Sequence, residues 1–259
     1  MKLVLSPKSP AIDTNARLSP EDTFQFACGP DVPCFTECCG KLDLLLTPYD
    51  LLRLRKRLGI SSADFLDTHA TIRWQTGHGF PEVMMQMDEA AGKRCPFVTP
   101  QGCSIYEDRP GACRIYPLGR GSTTHPMDGS RREFYFTVRE EHCRGFEQVR
   151  EWKVKEWLAD QGMDEYNRMN DLLMELFVGS RRSGNVTLTP QHVQMFMMAC
   201  YNTERFRDFI FKSGFLSRFE LEPDLVDALR EDDLALLEFA FRWLRFALLR
   251  EPVLTVRGT

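Results

Sequence analysis

FACGPDVPCFTECCG, residues 26–40, sets four cysteines, Cys28, Cys34, Cys38 and Cys39, within twelve residues of chain. A thiolate is a soft anionic ligand, and several of them close together on an irregular loop can wrap an ion or a cluster without a preformed core. Gly29, Pro30 and Pro33 suit such a loop. A disulfide between the neighbours Cys38 and Cys39 would be strained. The stretch therefore reads as metal ligands, and the surrounding chain as short elements arranged to carry them.

Working outward, Cys95, Cys103, Cys113 and Cys143 bring eight of the nine cysteines between positions 28 and 143, while Cys200 stands apart in a helical setting. Eight thiols suffice for two four-coordinate sites. The expected metal ligands are Cys28, Cys34, Cys38, Cys39, Cys95, Cys103, Cys113 and Cys143. The later cysteines sit in a distinctive block: Cys95-Pro96-Phe97, Gly102-Cys103, Ile105-Tyr106-Glu107, Arg109-Pro110, Cys113-Arg114 and Tyr116-Pro117. Together with residues 26–40, this block resembles the YkgJ-type cysteine-cluster family, a zinc- or iron-chelating domain, over about residues 24–146. The early spacing, Cys28-x5-Cys34-x3-Cys38-Cys39, is wider than the family's compact pattern.

Softness alone does not separate iron from zinc. Zinc sites usually pair their cysteines as Cys-x2-Cys or Cys-x4-Cys, which this chain lacks, whereas cluster ligands tolerate uneven spacing. An iron–sulfur cluster is the expected cofactor and zinc the alternative. The competing reading, scattered buried thiols, does not account for cysteines concentrated in Gly/Pro loops. A radical S-adenosylmethionine loop begins Cys-x3-Cys, as Cys34-x3-Cys38 does, but needs its third cysteine at position 41, which is Lys41. Arg109 and Arg114, close in sequence to the ligands, are expected to bind the cofactor by compensating its negative charge, and Arg120 lies near them. His69, His78, His125, His142 and His192 are possible replacement ligands; His142, beside Cys143, is the best placed, although a solvent-facing role suits it better.

The 259 residues are 43% hydrophobic, enough to build cores and too much for a disordered chain. A net charge of −4 and a pI near 5.8 exert no global pull toward nucleic acid or anionic membrane, so neither is expected as a partner. The first twenty residues hold only a three-residue apolar run, short of a signal peptide's core. The chain is therefore expected in the cytoplasm, where reducing conditions favour cysteines as ligands over disulfides.

The fold class expected is α+β: an extended arm over 1–23, an irregular cysteine-rich metal-binding domain with short strands and helices over 24–147, and an all-α region over 148–259. Thr47-Pro48 with Asp50 opens a helix that Gly59 stops. A second helix follows from Ser61 or Ser62 to His69, with Phe65 and Leu66 inward. Strands are expected over 83–87 and 132–139, the latter bringing Cys143 to the site. Helices are expected over 151–158, 164–178, 190–212, from Glu222-Pro223, and over 232–250, with a polar linker over 181–186. Glu238, Arg242 and Arg245 argue against a membrane span in the last helix. Met195, Met197 and Met198 suit core packing or an adaptable surface for an unknown protein partner.

The function these features imply is a cytoplasmic metal-binding protein that serves electron transfer or metal handling. The alternative is a protein-modifying, methyltransferase-like enzyme, by analogy with flagellin lysine methylases, which carry a related cysteine-cluster domain.

Overall fold

The structure, a computed structural model, describes residues 17–74, 79–124, 131–182 and 188–258. Most of the expected N-terminal arm, His78, His125 and the centre of the expected linker lie outside them. In chain order the elements are β1 (Thr23–Gln25), α1 (Pro48–Leu58), α2 (Ser62–His69), β2 (Ala70–Arg73), β3 (Glu82–Met85), β4 (Val98–Thr99), β5 (Gly102–Cys103), α3 (Gly111–Ile115), β6 (Leu118–Thr124), β7 (Arg131–Thr137), β8 (Glu151–Lys153), α4 (Val154–Asp160), α5 (Asp164–Arg182), α6 (Pro190–Tyr201), α7 (Thr203–Lys212), α8 (Phe215–Arg218), β9 (Phe219–Glu220), α9 (Pro223–Glu231), α10 (Asp233–Leu249) and β10 (Thr255–Val256). The strands pair antiparallel as β1–β8, β2–β3, β4–β5, β6–β7 and β9–β10. The fold is α+β, with most strand pairs in the first half and most helices in the second.

Contacts gather the chain into two units: residues 1–44 with 86–165, and residues 45–85 with 166–259. In the second unit, α1 and α2 pack with later helices. The Tyr201 hydroxyl donates to the Leu46 carbonyl at 3.1 Å, and Ser62 and Thr203 share a buried hydroxyl contact at 3.3 Å.

The first unit is built on an aromatic cluster. Phe26 is 1% exposed, with edge-on rings of Phe146, Trp157 and Tyr116 at 5.4–5.8 Å. The Trp152 indole N–H donates to the Phe26 carbonyl (3.0 Å) and that of Trp157 to the Ile115 carbonyl (2.9 Å), so both large rings are buried with their polar atom satisfied. The 151–158 stretch, expected as helix throughout, begins instead as β8, because Trp152 pairs with Phe24 across the two-stranded ladder. The 118–124 stretch carries no strand signal in its composition, yet it pairs with β7 along seven residues. Gly119 and Gly121 face the rings of Phe136 and Phe134, and a Cβ at either would sit 2.4 Å from ring carbons; the glycines are the space those rings fill.

In the second unit, Thr47 and Asp50 make the expected capping box, with Pro48 opening α1 and Gly59 (φ +66°) closing it. The single helix expected over 190–212 is two, α6 and α7, because the Asn202 side chain caps the N–H of Arg205. Short strands β9 and β10 also interrupt the region expected to be all-α. Phe206, fully buried, lies among the rings of Phe209, Phe239 and Trp243. Among the described residues no helix is long and apolar enough to cross a membrane.

A half-buried ion cluster ties α1, α7 and α10 together. Arg55 reaches Asp233 at 2.5 Å and Glu204 at 3.1 Å, Lys56 reaches Asp233 at 3.2 Å, and Arg207 also bonds Asp233. Burial raises the Asp233 carboxyl, but the Arg207 hydrogen bond and the charges of Arg55 and Lys56 outweigh it and hold the group below its ordinary value. A carboxyl depressed on folding contributes stability that is fully present above its unfolded pKa, near 4, and lost as pH falls through the folded value. Asp233→Asn should therefore cost about 2–3 kcal/mol at neutral pH and flatten the acid limb of the stability profile. Urea titrations from pH 7 to 2 check this; a parallel acid limb in the variant would contradict it.

Candidate metal centre

Residues 26–40 wind through successive tight turns: Val32 N–H to Gly29 O, Phe35 N–H to Val32 O, Glu37 N–H to Cys34 O and Cys39 N–H to Thr36 O, all at 2.9–3.0 Å. Thr36 (φ +67°) and Lys41 (φ +58°) take left-handed conformations within this winding, and the Arg94 guanidinium holds Thr36 through its carbonyl (3.2 Å) and hydroxyl (3.3 Å). No disulfide joins the nine cysteines.

Two backbone junctions bring distant cysteines to this loop. At the first, Ala27 N–H donates to Gly145 O (3.1 Å) and Phe26 N–H to Arg150 O (2.9 Å), laying the segment after Cys143 alongside Cys28. Gly145 permits the approach, since a Cβ there would lie 2.3 Å from the Phe26 ring and 2.9 Å from the Ala27 carbonyl. The Arg144 N–H donates to the Cys34 sulfur at 3.1 Å. At the second junction, Cys95 N–H donates to Cys39 O (2.8 Å) and Lys41 N–H to Lys93 O (2.7 Å), which sets Cys39 beside Cys95. Cys103 follows on β5, paired with Val98, and Cys113 on α3.

The electrostatics of these thiols follow from burial and from their neighbours. Cys28 keeps an exposed flank, but burial of its sulfur and the neighbouring sulfurs of Cys38, Cys34 and Cys143 push its thiol up to about 11. Cys39 is pushed up strongly by the hydrogen bond it donates to Cys38, by burial, and by the sulfurs of Cys38, Cys113 and Cys95. The same bond pulls the Cys38 thiol down, with help from Arg94, against burial and Glu140. Cys95 and Cys103 are raised by burial, opposed by N–H groups of Phe97 and Val98 on Cys95 and of Ile105 on Cys103. Such N–H donors stabilise a thiolate and are natural partners for metal-bound sulfur.

Cys28 thus stands within electrostatic reach of Cys34, Cys38 and Cys143, and Cys39 within reach of Cys38, Cys95 and Cys113. The hydrogen bond between the adjacent thiols Cys38 and Cys39 links these neighbourhoods. Among the described residues, no three Cys, His, Asp or Glu side chains already stand in a metal-holding arrangement. The donors fit a thiophilic ion in chemistry, while the closure of four sulfurs on one centre is not in place.

Residues 27–144, just under half of the chain, match the family model CxxCxxCC, "Putative zinc- or iron-chelating domain". This stretch is similar to that family. The match agrees with the family the motifs resembled. Where the label reads Cys-x2-Cys-x2-Cys-Cys, this stretch reads Cys28-x5-Cys34-x3-Cys38-Cys39, wound through tight turns from Gly29 to Cys39. No curated protein and no solved structure matches the chain.

Arg109 and Arg114, expected to bind the cofactor, make several hydrogen bonds within the first unit. The Arg109 guanidinium lies 3.7 Å over the Tyr106 ring and donates to Tyr106 O (2.5 Å) and to the Gln161 side chain, with Cys103 within reach of its charge. Arg114 donates to the carbonyls of Gln161 and Glu107, both at 2.6 Å. Arg120 pairs with Glu133 across the β6–β7 hairpin. His142 lies 3.3 Å from the Glu140 carboxylate. Sequence reasoning missed Tyr116, whose buried hydroxyl stands within reach of Cys143; burial and that sulfur raise it far above the usual phenol range. Its place in the block Cys113-Arg114-Ile115-Tyr116-Pro117 was the only signal.

Proposed function

We propose that the chain is a cytoplasmic iron–sulfur protein whose eight thiolates hold two centres, one on Cys28, Cys34, Cys38 and Cys143 and one on Cys39, Cys95, Cys103 and Cys113. The observation that carries this reading is the pair of backbone junctions, each of which sets later cysteines beside the 26–40 loop. The uneven ligand spacing favours a cluster over zinc. A bound cluster would supply one-electron transfer, and zinc in its place would serve structure. Arg144 N–H on Cys34, the Phe97 and Val98 N–H groups on Cys95, and the Arg109 charge near Cys103 would stabilise the ionised sulfurs. The half-exposed Met195, Met197 and Met198 line a hollow of about 560 Å³ that suits a protein partner, for instance one that exchanges electrons or metal with the centres.

Anaerobic purification followed by an absorption spectrum and by iron, zinc and acid-labile sulfide analysis tests the proposal. Brown protein with iron and sulfide in equal amounts is expected. Colourless protein with stoichiometric zinc would overturn the choice of cofactor, and thiol-intact protein free of both metals would overturn the metal centre.

A further inference from the structure

An aromatic hollow lies away from the eight clustered cysteines, in the unit formed by residues 45–85 and 166–259. A cavity of about 780 Å³ opens among α6, α7, α8 and α10, walled by Met195, Phe209, Phe215, Phe219, Trp243 and Phe246. That size and an aromatic lining are those of a small-molecule pocket. The wall is preformed, since its rings brace one another: Phe209 on Trp243 at 5.2 Å, Phe215 on Phe219 at 4.6 Å and Phe219 on Phe246 at 5.3 Å.

Two arginines complete the lining, Arg218 and Arg250, both exposed at their outer ends. Among the described residues neither has an ion pair; Arg218 lies 5.7 Å from the Phe219 ring centroid. Arg250 adds a second, independent observation. It terminates α10 in a left-handed conformation (φ +59°), its N–H capping the carbonyls of Arg245 and Phe246. Glycine or asparagine is the usual occupant of that position, and a longer side chain there is strained. Favourable interaction with the helix dipole would be met by a cation anywhere in the last turn and does not call for one at the strained position. A residue kept against its backbone preference at the edge of a cavity points to a role for its side chain.

We propose that this cavity binds an amphipathic carboxylate, its apolar body against the aromatic wall and its carboxylate on Arg218 and Arg250. Arginine donates in a fork that matches a carboxylate, and an apolar body explains why the wall carries no acidic or amide side chain.

The test is calorimetric titration of the full chain with decanoate and, separately, with decanol, a neutral probe of the same chain length. Decanoate should bind saturably at one per chain and at least about tenfold more tightly than decanol. The double variant Arg218→Gln/Arg250→Asn, in which asparagine keeps the left-handed cap, should bind decanoate no better than decanol while its far-UV circular dichroism and melting temperature stay as in the parent. Trp243→Phe should remove the fluorescence response to decanoate but not the heat. No saturable heat up to about 1 mM, equal affinity for the two probes, or unchanged decanoate binding in the arginine variant would each overturn the proposal.

Discussion

Cys39→Ser should strip metal from the group formed with Cys95, Cys103 and Cys113 and lower the thermal stability of the cysteine-cluster unit, in the largest single effect expected of any substitution in this chain. Serine presents a neutral, hard hydroxyl where a soft thiolate is needed. Changes in groups that merely orient a ligand weaken metal affinity by roughly 10–100-fold, so removal of the ligand itself should exceed about 100-fold. Metal binding is also folding free energy wherever the site does not exist in the unfolded chain. Cys39 further loses its hydrogen bond to Cys38, so some loosening of the other group is expected too. Cys200→Ala is the control: that thiol is 1% exposed within α6, and burial raises it far above its ordinary value, which suits a packed, un-ionised side chain. Elemental analysis and thermal melts of both variants decide the matter. Full metal and an unchanged melt in Cys39→Ser, or metal loss in Cys200→Ala, would contradict the account.

Phe26→Ala should cost about 3–5 kcal/mol, the usual range for emptying a fully packed phenylalanine site. Its ring is the meeting point of Phe146, Trp157 and Tyr116, and none of these can collapse into the space without leaving its own partner. A native domain has only about 5–15 kcal/mol in total. Phe26 also forms the surface against which Gly145 packs, so its loss loosens the junction that lays Cys28 beside Cys143. The variant should therefore unfold at lower denaturant and, where still folded, hold metal less well in the Cys28, Cys34, Cys38 and Cys143 group than in the other. Chemical denaturation with metal analysis measures both, and a loss below about 1 kcal/mol would show that the aromatic cluster does not carry the unit.

What the sequence disclosed and what it hid have physical reasons. Local signals were legible: Thr47, Pro48 and Asp50 specify a helix start within four residues, and Thr189-Pro190 does the same for α6. The family match was legible too, because its motifs are contiguous. The β6 strand was not, since its glycines have meaning only against the rings of Phe134 and Phe136 on the partner strand. Nor was β8, whose Trp152 and Lys153 fit a helical pattern as well as the ladder they join. Nor does the sequence disclose that donors of Arg109 and Arg114 reach Gln161, a residue some fifty positions away. The approach of later cysteines to the 26–40 loop also depends on long-range junctions, 27 with 145 and 39 with 95, that no spacing rule encodes.

The central claim is that eight thiols make two separate centres, and the most direct measurement is a count. Non-denaturing mass spectrometry of anaerobically purified protein gives the number of bound centres per chain in the parent, in Cys34→Ser/Cys143→Ser and in Cys95→Ser/Cys113→Ser. The account predicts two centres in the parent and one in each double variant, with the survivor held by the other group. Loss of every centre from a folded double variant, or retention of two in either, would contradict it.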